Sequence, residues 1–191
     1  MKTRIISALV EQKLMDNTII LFVSDHGEML GDQVYFLIED SLCKVLLFNG
    51  QPIEITLPTF IEKVIANGAN EYNAPGVKHK LIISHINFSE PHKAPFNIEY
   101  DTYGKWCELI RENIKPAAYC YGHVHQNYVS LPGSEKDIFN QGAPAIVAGV
   151  PVRKENETGF TGAAITLSDA KITVSYINHA GDVAETIEIA R

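Results

Sequence analysis

The chain of 191 residues has no long run of Lys or Arg, no Cys-x-x-Cys pair, no internal repeat and no low-complexity tract. It also has no apolar stretch long enough to cross a bilayer. Each absence removes a class of protein. With 16 Lys and Arg against 23 Asp and Glu, the net charge is −7, and nothing forms the electrostatic footprint of a nucleic-acid binder. Such a surface repels a phosphorylated substrate at long range, so a site for one needs local positive charge, most simply a metal ion. The 3 cysteines, Cys43, Cys107 and Cys120, are odd in number and far apart; they read as small buried thiols in a reducing compartment. The apolar run Ile5–Val10 is short and is followed at once by Glu11-Gln12-Lys13. It is neither a signal peptide nor a span, so the default expectation is a cytoplasmic protein with no membrane partner.

What is present is an ordinary globular composition, 46% hydrophobic and 20% charged, enough for one domain or one domain with an appended piece. Ile5, Ile6, Leu9, Val10 and Leu14 have helical spacing, stopped by Asp16-Asn17. Thr18–Val23 is an unbroken, β-branched run that reads as a buried, parallel strand. Strands are predicted at Val34–Ile38 and Lys44–Phe48, a helix from Leu57 to Ala66, a loop over 67–78, and a short buried strand at Leu81–Ile83. A Pro-containing loop spans 90–97. A helix from Tyr100 to Asn113 carries Trp106, Leu109 and Ile110 on its core stripe, and Pro116 follows it. Ala117–Tyr121 is a strand running into Gly122. The last third is β-rich, with short strands at 138–140, 146–148, 163–167, 172–177 and 186–189. Ser168-Asp169-Ala170 joins two of these as a hairpin, and His179–Asp182 forms a second turn. The whole is α/β, with a parallel first part and an antiparallel end.

Two of the predicted buried strands end in histidine, at Ser84-His85 and Gly122-His123-Val124-His125. Neutral imidazole is the commonest protein metal ligand, and ligands gather at the carboxyl ends of strands in open α/β sheets. Gly122 is expected to let the backbone bend and approach a ligand closely. His123 and His125 then serve one metal, or one each of a close pair, with His85 on the same rim. A single histidine at a strand end is more often a hydrogen-bonded structural residue; the three together favour a metal. Zn, Mn, Fe and Ni all accept imidazole with carboxylate. His92 lies in the Pro-containing loop near His85 and within reach of a substrate, whereas His79 and His179 read as solvated loop residues.

The segments Leu81–His85 and Ala117–His125 resemble the last two motifs of the calcineurin-like metallophosphoesterases. Gly159-Phe160 through Asn178–Gly181 is similar to that family's closing antiparallel strands, and Val34–Gln51, more loosely, to an earlier strand pair. The resemblance covers residues 34–191. It implies part of an α/β/β/α sandwich with a mixed sheet and antiparallel C-terminal strands. It also implies phosphate-ester hydrolysis at a two-metal site (Mn, Fe or Zn), with His85 and His123 on one metal and His125 on the other. The family's Asp-x-His and Gly-Asn-His motifs do not occur in this chain, and neither Gly31-Asp32 nor Gly181-Asp182 has the context of its bridging Gly-Asp.

Residues 1–32 carry a different likeness. Asp16–Asp32, with Val23-Ser24-Asp25-His26-Gly27 at its centre, resembles the late metal-binding motif of the sulfatases. By that resemblance Asp25 and His26 bind a divalent cation, often calcium. The Cys/Ser-x-Pro-x-Arg nucleophile motif of sulfatases is absent. Three functions follow: a phosphoesterase-family hydrolase with an incomplete metal shell and a small phosphate ester as substrate; an inactive metal-binding remnant of a chimeric gene; and a sulfatase-like fragment. Half of a sandwich leaves an edge and a face to be covered, so a missing domain half or an oligomer partner is expected.

Overall fold

The computed structural model describes residues 10–11, 37–39, 43–46, 73–93, 100–150 and 161–191. The chain divides into two compact units, Met1–Asp32 and Gln33–Arg191. In the first, Val10 and Glu11 are helical, inside the helix predicted from the apolar spacing. The strand expected at Thr18–Val23, with Asp25 and His26 after it, and the helix expected from Leu57 to Ala66 lie outside the described residues.

The second unit holds two sheets. Strands β1 (Leu37–Glu39), β2 (Cys43–Leu46), β3 (His79–Ile83), β4 (Ala118–Tyr121), β5 (Tyr128–Ser130) and β6 (Ala145–Val147) form one, in the order β1-β2-β3-β4-β6-β5. Its centre, β2-β3-β4-β6, is parallel, and β1 and β5 are antiparallel edges. Strands β7 (Thr161–Leu167), β8 (Lys171–Asn178) and β9 (Val183–Ala190) form an antiparallel sheet. The fold is therefore α/β, with a mixed sheet and antiparallel C-terminal strands, as the sequence pattern indicates.

Alternation along β4 decides which layer packs where. Tyr119 and Tyr121 point to one face, where they meet Ile82, Phe88, Trp106, Cys107 and Ile110. Ala118 points to the other, where it packs with Ile146, Ile172, Val174, Tyr176 and Ile189. The first face is covered by helix α1 (Tyr100–Asn113), whose buried Tyr103, Trp106, Cys107 and Ile110 follow the 3.6-residue period. The second is covered by β7-β8-β9. Among the described residues the order of layers is thus helix, mixed sheet, antiparallel sheet. A fourth, helical layer, expected of an α/β/β/α sandwich, is not among them. No described helix is long and apolar enough to cross a membrane.

Helix α1 carries Asp101 in its first turn and Arg111 in its last, each favourable to the helix dipole. It closes with Ile114 and Lys115 N–H groups both donating to the Ile110 carbonyl, at 2.9 and 3.0 Å, and Lys115 takes a left-handed φ of 53°. Pro116 then prevents continuation.

Two elements differ from the sequence reading. Ile138–Asn140 is a turn, not a strand, because its amides have better partners than a neighbouring strand. Buried Asp137 accepts from the N–H of Gly133 at 2.8 Å and of Gln141 at 3.0 Å, and from the Ser89 hydroxyl. The Ile138 and Phe139 N–H groups donate to the Ser89 carbonyl and hydroxyl, at 2.8 and 2.9 Å. Conversely, Tyr128–Ser130 is an edge strand that has only three residues and too little alternation to stand out in the sequence. His79 is also no loop residue: it opens β3 and is half-buried.

Candidate metal centre

The β3–β4 ladder brings His85 and His123 together. Leu81, Ile82 and Ile83 pair with Ala118, Tyr119 and Cys120. Beyond the strands the ladder continues, with Ser84 N–H donating to the Cys120 carbonyl and Gly122 N–H to the His85 carbonyl, both at 3.0 Å. The two histidines thus leave neighbouring strand ends at matching heights. His85 Nε2 and His123 Nδ1 lie 2.9 Å apart, with ring planes at 82° and centroids 4.8 Å apart.

That separation has two chemical meanings. One neutral imidazole donates an N–H to the other's lone pair, or both lone pairs converge on one cation. Two nitrogens each about 2.1 Å from a metal and subtending roughly 90–110° lie about 3.0–3.4 Å apart. The observed spacing fits two ligands of a single ion with a shift of a few tenths of an ångström. Both rings are half-buried, so they are partly withdrawn from water while still open to an incoming ligand.

The backbone bend is carried by other residues than the sequence suggests. Gly122 has no left-handed φ, and a Cβ there would meet only ordinary contacts, the nearest at 3.8 Å. His123 and His125 take the left-handed conformation instead, with φ of 64° and 55°. Non-glycine residues at such angles cost of order 1 kcal/mol each, and strain of this kind concentrates at ligand sites. Val124, between the two histidines, donates its N–H to the Gly122 carbonyl at 2.8 Å, which tightens the turn.

His92 is the third imidazole near the pair, its ring centroid 6.0 Å from that of His123. Its Nε2 lies 2.6 Å from the Asn87 carbonyl, which only accepts, so Nε2 carries a proton. The Tyr100 hydroxyl donates to the His92 carbonyl at 2.8 Å and fixes the loop. Two residues before His92, Glu90 anchors a polar group that the sequence pattern does not mark. The Tyr128 hydroxyl donates to buried Glu90, Lys136 Nζ sits 3.3 Å from the other Glu90 oxygen, and the same ammonium lies 3.6 Å from the Tyr128 ring centroid. Burial, and then the Glu90 carboxylate, push the Tyr128 hydroxyl well above its usual range. Glu90 sits in a Pro-containing loop, where a carboxylate is normally solvated, so no sequence signal marks it as buried.

Among the described residues no group of three or more His, Cys, Asp and Glu side chains is arranged to hold a metal ion. His85 and His123 are brought together, and His125 does not complete such a group with them. Asp25, His26 and Asp32 lie outside the described residues.

The sequence matches no family model, and no curated protein matches it. Among solved structures, a conserved uncharacterized protein from Streptococcus pneumoniae TIGR4, described as a predicted phosphoesterase, is similar to this chain at a TM-score of 0.34 and 18% identity. The match covers 50% of this chain and 52% of that one, so the chain spans about half the length of that structure.

Proposed function

We propose that residues 34–191 form part of a metal-dependent phosphoesterase of the calcineurin-like kind, with the α/β/β/α sandwich of that family and a small phosphate ester as substrate. The observation that carries this reading is the 2.9 Å approach of His85 Nε2 to His123 Nδ1 at two adjacent strand ends. In it His85 and His123 hold one divalent ion, Mn, Fe or Zn, and His125 belongs to a second. When bound, the metal supplies Lewis-acid polarisation of a phosphoryl oxygen. The chain's own part is to hold two neutral imidazoles at a chelating distance, at the end of a buried ladder. Asp and Asn ligands of the family's other motifs come from a missing domain half or a partner subunit.

Titration of the purified chain with Mn²⁺ or Zn²⁺, followed by calorimetry, tests the metal, and turnover of an aryl phosphodiester tests the chemistry. Saturable binding weakened about 10- to 100-fold by His123→Ala supports the site. Binding that His85→Ala and His123→Ala leave unchanged sinks it.

A second reading is an inactive metal-binding remnant. It is favoured by the absence, among the described residues, of a carboxylate grouped with the histidine pair. Metal binding without turnover, under any of the three metals, selects it. The calcium role of Asp25 and His26 rests on the sulfatase resemblance alone; calcium binding lost in Asp25→Ala is its test. The junction near residue 33, with a sulfatase-like segment before it and a phosphoesterase-like one after, is the arrangement a chimeric gene would produce.

A further inference from the structure

The parallel strands have a second end. The residues that precede β3, β4 and β6 meet those that begin β8 and end β9, around a cavity of about 480 Å³. At about 3.3 Å per residue, strands of four or five residues place it roughly 13–17 Å from the histidine pair. Its floor is apolar, formed by Pro116, Ala117, Pro144 and Ile172, and its rim carries Lys78, Arg191 and Asp169.

The charged residues that line the cavity are two cations and one carboxylate. Lys78 and Arg191 line it, although the chain as a whole is −7, and His79, Lys80 and Lys115 stand one or two residues from lining positions. Burial and then Arg191 lower the pKa of His79, and burial and then Lys115 lower that of Lys80. Asp169 is the carboxylate among them, 3.9 Å from both Lys78 Nζ and His79 Nε2, with its side chain 81% exposed. Arg191 is held in place, donating to the Ser168 carbonyl at 2.9 Å with His79 Nδ1 at 2.7 Å. A fixed guanidinium and an exposed ammonium over an apolar floor, in a cavity of ligand size, are complementary to a compact anion with an apolar body.

We infer that this cavity binds a phosphate monoester dianion with a small apolar body, phosphate toward Lys78 and Arg191 and the body on the Pro116–Pro144–Ile172 floor. The inference does not depend on the metal centre, which lies at the other strand ends. It assigns the cavity a ligand of its own, one whose binding the histidines do not control.

The test is amide chemical-shift titration of the full isotope-labelled chain with phenyl phosphate, in chelator to keep metal from the histidines. Saturable shifts at Ala117, Gly142 and Ala190 are expected. Affinity should fall roughly tenfold in Lys78→Glu and severalfold on raising salt from about 0.05 to 0.3 M. Lys115→Ala should weaken it less, and His123→Ala should leave it unchanged. Lys78 is exposed, so its variants keep the native spectrum. Four results overturn the inference: no shift up to about 10 mM ligand, affinity that Lys78→Glu does not change, phenol binding as well as phenyl phosphate, or shifts centred on Gly122.

Discussion

The hydroxyl of Tyr176, in the middle strand of the antiparallel sheet, donates to the carbonyl of Val147 at the end of β6, at 3.1 Å. Both residues are buried, and the bond spans the interface between the two sheets. Tyr176→Phe keeps the ring and removes the donor, leaving a buried carbonyl less well satisfied. It should destabilise the protein by about 1 kcal/mol in urea denaturation, without changing secondary structure. Loss of more than about 3 kcal/mol, or of none, would show that the bond does not set the contact.

Alkaline pH should unfold the protein through groups that are buried, or for Cys120 half-buried, in their neutral form. Burial pushes the Cys107 and Cys120 thiols up to about 12 from 9.0, and burial, then Glu185, push the Tyr176 hydroxyl to about 12 from 10.0. Folded pKa values above unfolded ones mean that their contribution is complete below pH 9.0 and is lost as pH rises from there towards 12. Stability measured by denaturant should therefore decline above pH 9.0.

The same thiols should resist alkylation in the native state. At pH 8 a thiol of pKa about 12 is thiolate in only about one molecule in ten thousand. Peptide mapping after iodoacetamide should find Cys107 and Cys120 unmodified until denaturant is added. Rapid native labelling of Cys107 would contradict its burial.

Gly142 has a φ of 82°, and a Cβ there would lie 2.6 and 2.9 Å from the Arg111 side chain. Arg111 has little room to yield, because its guanidinium bonds the Phe139 and Asn140 carbonyls of the same loop. Gly142→Ala should cost about 2–4 kcal/mol by combining left-handed strain with overpacking. Thermal denaturation gives the value; a change below about 1 kcal/mol would mean that the loop shifts freely.

Lys115 offers the opposite case. It is exposed, left-handed, and sits where helix α1 ends, a position that favours glycine. Lys115→Gly should stabilise by roughly 0.5–1 kcal/mol, because the strain relieved exceeds the added flexibility of the unfolded chain. A lower melting temperature would place the worth of Lys115 in its charge at the helix C-terminus.

Much of this arrangement is legible in the sequence, for reasons specific to each element. Helix α1 is bounded by its Trp106–Ile110 stripe and by Pro116, and β3 and β4 by short apolar runs that end in histidine. The juxtaposition of His85 and His123 follows once both strands are read as parallel neighbours. Other features are not local. The turn at Ile138–Asn140 depends on Asp137 meeting Ser89, 48 residues away. Burial of Glu90 depends on Tyr128 and Lys136, which a linear reading cannot bring to it. The left-handed twist of His123 and His125 runs against their intrinsic preference, and such tertiary override is what a sequence pattern conceals.

Asp137 has a kinetic consequence. Ser89 belongs to the loop carrying His85 and His92, while Gly133, Phe139 and Gln141 belong to the one after β5; the Asp137 carboxylate and the Ser89 hydroxyl tie them, beside the Ile138–Ser89 backbone bond and the Lys136–Glu90 pair. Neither loop can open without leaving the buried polar groups of Ser89, Asp137 and Gln141 short of partners. The two therefore behave as one cooperative unit in hydrogen exchange, the amides of Gly133, Phe139 and Gln141 exchanging together through a shared opening. The Asp137–Ser89 contact is in this sense a latch, and the rate at which it releases limits how fast the two loops can rearrange.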